Sequence, residues 1–279
     1  MTAADETGLV PTESIPSSDT QLYRVGAVAA ILGVAIQIGR QASDQFHPQS
    51  EPGNPPVAFA DYAAHEYWVL AHLLEFLGFA LIFGALLVLS WRMRVGRAAG
   101  WAVLGAAGTV MSLTLAAALQ AIDGIALKLL VDRWAETSAE SQELLFEGAY
   151  AVRQIEGAVL AMFVVGLGLT ILVYGVALVI DDVAPNWLGM LGIAAGPLTV
   201  VLGVVLALDP FGEITGHSGS MGFLFGVGVL GNLLALLWIG LVGRYLFQSS
   251  RRQLTHPSEP RARSIEGDAT QSGEIDDSV

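Results

Sequence analysis

The chain has 279 residues, 53% of them hydrophobic and only 14% charged, with a mean hydropathy of +0.59. A soluble domain of this length carries about a quarter charged residues, so the composition points to a bilayer as solvent. The absence of cysteine excludes disulfides, thiolate metal sites and cysteine nucleophiles, and a net charge of −13 argues against nucleic-acid partners.

Residues 1–20 are polar and acidic, lack the basic region of a signal peptide, and read as a disordered tail. Six apolar segments follow, at roughly 21–40, 68–91, 98–121, 154–180, 187–208 and 221–247. Each is close to the ~20 residues a helix needs to cross the hydrocarbon. The expected fold is therefore all-α: a polytopic transmembrane bundle of about six helices over 21–247. The lipid bilayer is its first partner, and a disordered cytoplasmic tail fills 248–279.

Orientation follows the arginines. Arg92, Arg94 and Arg97 sit between spans two and three, and Arg244, Arg251 and Arg252 close the sixth span. Placing both groups inside makes both termini cytoplasmic in a cell membrane, with nine basic residues inside and four outside. Only the 181–186 connection, with Asp181 and Asp182, lends no base. Tyr67 and Trp68 would mark the outer interface, and Trp91, Trp101, Trp187 and Tyr245 the inner one.

Two outer segments are long. Residues 41–66 hold Pro48, Pro52, Pro55 and Pro56, and should be irregular until a helix starts near Ala58. Residues 122–153 look helical, with Asp132, Glu136, Glu140, Glu143 and Glu147 at spacings that put five carboxylates on one face. This outer helix reads as a solvated face or, alternatively, as an acidic collar that attracts cations.

Gly192-x-x-x-Gly196, Gly222-x-x-x-Gly226 and Gly96-x-x-x-Gly100 have the spacing that lets helices approach closely. They suit packing within one bundle, or a homodimer through the Gly-rich spans. Pro197 should kink span five. The two three-helix halves show no mutual similarity, so the internal repeat of many transporters is missing.

Polar residues concentrate at one level. Asp61, His65, Trp68, His72 and Glu75 recur at helical spacing along span two. Gln120 and Asp123 share a face at the end of span three, with Lys128 beyond, and Arg153 and Glu156 open span four. All three stretches lie at the outer leaflet under the orientation above. Glu75 lies about 10 Å inward of Trp68 and is the most clearly immersed. Three readings stay open. One is an interhelical network, Arg153 facing Glu75 or Asp123 and Lys128 facing Glu156, that orders the bundle. Another is a site for a cation or small solute in a transporter or sensor. The third is a metal-dependent membrane enzyme with His72, Glu75, Asp123 and Glu156 as ligands. No His-Glu-x-x-His helix accompanies His72-x-x-Glu75, and His65 and His72 on one helix would not flank a haem, so no cofactor is expected.

Phosphate-binding, nucleophile-elbow and dinucleotide motifs are missing from the sequence. A Ser–His–acid set can be drawn among Asp209, Glu213, His217 and Ser218, but neighbours in one loop rarely take triad geometry. No catalytic residue is assigned, and the protein reads as non-enzymatic.

The stretches Trp68–Ser90 and Pro185–Leu206, the latter a Pro and Trp-Leu start to a Gly-rich span, resemble an uncharacterised family of six-span bacterial and archaeal membrane proteins. The resemblance covers roughly 22–247. It implies six helices and a membrane location, and carries no activity, cofactor or site residue.

Overall fold

The computed structural model describes residues 18–41, 54–181, 184–209 and 219–255. His47, Pro48, Pro52, Asp182, Glu213, His217, Ser218 and the outer parts of both tails lie outside the described residues. The described chain folds as α1 (Ser18–Gln41), α2 (Pro55–Ala64), α3 (Trp68–Arg92), α4 (Ala99–Ala121), a π-helical turn (Ile122–Leu127), α5 (Lys128–Glu136), α6 (Ala139–Ile180), α7 (Asn186–Leu208) and α8 (Gly219–Thr255). Among the described residues, six helices are long and apolar enough to cross a membrane, as the hydropathy runs predict. The expected boundaries shift at both ends. Helix α1 begins at Ser18 with Thr20 buried, and α8 runs on to Thr255 with Ser250 buried, so helix extends into both expected tails.

The spans α1, α3, α4, α6, α7 and α8 form a closed ring, each packed on its chain neighbour, with α8 returning to α1. Small residues set the closest approaches. At Gly196 a Cβ would lie 2.7 Å from the Gly168 carbonyl oxygen, and at Gly192 it would meet Gly175 and the Trp238 indole. Bare backbone at these positions lets α6 and α7 touch directly, which is what holds helices together in lipid. The Gly192/Gly196 pair is thus spent inside the bundle. Gly96, Gly100 and Gly226 face open space instead. Helix α7 continues through Pro197.

Tyr174 on α6 ties three helices together near the end where α3 and α6 finish. Its hydroxyl donates to the Leu86 carbonyl at 3.0 Å and lies 2.6 Å from Ser90 Oγ and 2.9 Å from Thr109 Oγ1, tying α3, α4 and α6. At one end of the bundle, Asp19 accepts from Arg94 and from the Trp91 indole, and Tyr245 lies near Arg92, Asp181 and Arg252. The first helix therefore starts at the end where the last one finishes.

At the other end, α6 is about 63 Å long at 1.5 Å per residue, twice a ~30 Å hydrocarbon layer. Its first half joins α2 and α5 in a small cap with its own core of Phe59, Tyr62, Trp68, Leu127, Val131 and Ala149. Three expectations change. Helix α2 begins at Pro55, three residues early, because proline is pre-set for the first helical turn. The five carboxylates do not share one helix: extended backbone at Thr137 and Ser138 separates Asp132 and Glu136 from Glu140, Glu143 and Glu147. Trp68 and Tyr245, expected as lipid-facing anchors, are buried, because the cap covers Trp68 and α8 packs Tyr245 into the main core. Glu136, Glu140, Glu143 and Glu147 are exposed, as a solvated face requires.

Candidate functional site

The polar residues of α3, α4 and α6 do converge, just beneath the cap. Their positioning begins with the π turn. A π segment holds one residue more per hydrogen-bonded ring than an α-helix, and it re-aims the side chains that follow. Here it contains Asp123 and Gly124, both buried. His72 Nε2 lies 2.8 Å from Asp123 Oδ2, and His72 Nδ1 lies 2.8 Å from the Trp68 carbonyl oxygen. Both oxygens are acceptors, so the geometry is satisfied with a hydrogen on each ring nitrogen. The Trp68 ring lies 4.6 Å from the imidazole, tilted by 34°, and its indole N–H donates to the Asp123 carbonyl at 3.1 Å. His72 and Trp68 together hold both ends of Asp123.

Glu75 sits one turn deeper. Its carboxylate pairs with Arg40 of α1 at 3.0 Å, and the Gln37 amide donates to the Glu75 carbonyl at 3.0 Å. The sequence offers Arg153 as a partner for Glu75, and that pairing is corrected. Arg40, near the end of span one, reaches inward because α1 packs antiparallel on α3 and delivers it one turn above Gln37. Arg153 instead donates to the Tyr62 hydroxyl at 2.8 Å, its guanidinium over the rings of Tyr62 and Phe59. The proposed Lys128–Glu156 pair is likewise replaced. Lys128 Nζ donates to the carbonyls of Tyr62 and Ala63 at 3.0 and 2.9 Å and pairs with Asp132 at 2.7 Å. Those carbonyls end α2: that of Tyr62 also accepts from the His65 N–H at 3.2 Å, and the ammonium supplies a further donor to both.

Glu156 is buried and lies within electrostatic reach of Asp123, Arg153 and Glu75. Gln120 is buried beside the Glu75 carboxylate, and its Oε1 meets no donor among the described residues. Three carboxylates thus face two guanidinium groups and one imidazole, a set that is neutral when His72 carries both protons.

His65 does not join. It sits in the turn between α2 and α3, half-buried, with its ring against Trp68, and Asp61 is exposed on α2. The stripe expected from Asp61 to Glu75 breaks because His65 takes extended backbone, which turns α2 aside to pack Phe59 and Tyr62 on the cap. Among the described residues, no three of His, Asp and Glu gather in a geometry that would hold a metal ion. Gln37, Arg40 and Tyr62 are the site residues that sequence reasoning missed. The available signal was a glutamine and an arginine three apart at the outer end of the least apolar span.

No known protein family, curated protein or solved structure matches the chain.

Proposed function

We propose that the chain is a non-enzymatic protein of the cell membrane, both termini cytoplasmic, whose outer-leaflet polar cluster fixes the order and depth of its helices. The observation that carries this reading is the pairing of charged side chains across different helices, with Glu75, His72 and Asp123 buried and Arg40 partly so. Arg40 of α1 meets Glu75 of α3, and His72 of α3 meets Asp123 of the π turn. In hydrocarbon, an ion pair broken between helices leaves a charge without water. The pairs therefore specify register. The acid-rich neighbourhood of Glu156 favours a second reading, in which the same cluster takes up a cation or small solute. The resemblance to an uncharacterised six-span family fits both readings and adds no activity to either.

Glu75→Gln separates them. Under the ordering role it leaves Arg40 without its anion and lowers the melting temperature in detergent by roughly 3–10 °C, since losing one partner of a buried pair costs a few kcal/mol and Arg40 is partly exposed. Under the solute role the fold holds and a solute-dependent stabilisation disappears. If Glu75→Gln changes neither, both readings fail.

A further inference from the structure

The helices of the ring line a partly open cavity of about 180 Å³ directly below the cluster. Every span except α4 contributes to its wall. The body is apolar, and three phenylalanines form one side. Phe79 and Phe163 meet edge-on at 4.9 Å, and Phe83 meets Phe163 edge-on at 6.3 Å. Three polar side chains interrupt the wall: Gln37, Glu75 and Asn232. Gln37 has committed its amide nitrogen to the Glu75 carbonyl, so its carbonyl oxygen remains as an acceptor. Asn232 is half-buried in the middle of α8, where the alternative solvent is lipid. An amide placed there is costly without a purpose, and it offers both a donor and an acceptor.

From this wall we infer that the cavity binds a small neutral aromatic alcohol or phenol, its ring against Phe79, Phe83 and Phe163 and its hydroxyl on Asn232 and Gln37. Size comes first. An engineered cavity of about 150 Å³ with apolar walls holds one benzene, so about 180 Å³ suits a single substituted ring. Shape follows, since edge-to-face phenylalanines accept a further ring in the same manner. Polarity then selects the head group. Carboxylate and amide oxygens favour a guest that donates a hydrogen bond. Charge is excluded by Arg40, which lies 3.0 Å from the Glu75 carboxylate: it neutralises the acid and repels an organic cation.

The test uses the full chain in lipid nanodiscs and fluorine NMR of 4-fluorophenol beside fluorobenzene, which lacks the hydroxyl. The expected result is a distinct, saturable bound signal for 4-fluorophenol, with about five-fold tighter binding than fluorobenzene after correction for partition into lipid, the worth of one neutral hydrogen bond. Asn232→Leu should bring the two probes to within two-fold. Ala235→Leu, which fills the cavity from α8, should abolish the bound signal of both, and Val164→Phe should do so from α6, so that one fold-compromised variant does not decide the matter. No saturable signal in the wild type overturns the proposal. A signal that survives both filled variants, or a preference for fluorobenzene, overturns it equally.

Discussion

A Cβ on Gly124 would lie 2.5 Å from the Cβ of His72. The hydrogen bond from His72 to Asp123 therefore depends on a neighbour that has no side chain. Gly124→Ala should push α3 away from the π turn and destabilise by about 1–3 kcal/mol, as overpacking of a fitted core does. Gly84→Ala is the matched control. It lies on α3, the helix that carries His72, with nothing within 4 Å, so the substitution should be neutral or stabilise by up to about 1 kcal/mol through helix propensity. Thermal unfolding of both variants in one detergent checks the pair; equal shifts would mean that the contact is not fitted. At this scale the sequence was partly readable. His72, Glu75, Gln120, Asp123 and Glu156 stand out because polar residues are rare in apolar runs. Their partners do not stand out, because Arg40 at a span end looks like an ordinary interfacial arginine, and a π turn has no residue signature beyond a glycine.

Elements were legible where hydrophobicity alone decides them. Six apolar runs near 20 residues became six spanning helices, since length and polarity leave few alternatives. Breaks between helices were harder. The spacing from Asp61 to Glu75 continues through His65 as if one helix ran on, and only the docking of Phe59 and Tyr62 on α5 and α6 shows why it stops. The break before α6 did carry a signal: Ser138 at the N-cap with Glu140 in the first turn is a helix start. Lys128 belongs to this scale too, because it closes α2 rather than answering Glu156. Lys128→Met keeps the stem and removes the donors, leaving the carbonyls of Tyr62 and Ala63 without an ammonium. The loss should be about 1–2 kcal/mol and local, since these groups are only part-buried. Hydrogen exchange over 54–66 should rise at least several-fold while the spans stay protected. Uniform loosening of the whole bundle would instead assign Lys128 to the main core.

For the whole molecule, the ring fixes which ends lie together but leaves open which end faces the cell interior. The cap, the polar cluster and the exposed acids Glu136, Glu140, Glu143 and Glu147 lie at one end. Arg92, Asp19 paired with Arg94, and Arg252 mark the other. Basic loops are retained in the cytoplasm, and acids weigh little in that choice, so the arginine end should be inside and the cap outside. The chain has no cysteine, which makes the test clean. Glu143→Cys places a thiol on the exposed face of the cap, and Val95→Cys places one in the opposite loop, at a position 78% exposed. A membrane-impermeant maleimide on intact cells should label Glu143→Cys at once and Val95→Cys only after permeabilisation. The reverse pattern would invert the molecule, put the polar cluster at the inner leaflet and open the cavity's polar end toward the cytoplasmic side. Equal labelling of both in intact cells would mean that the chain inserts both ways, and the bias of nine basic residues against four would then be too weak to set its orientation.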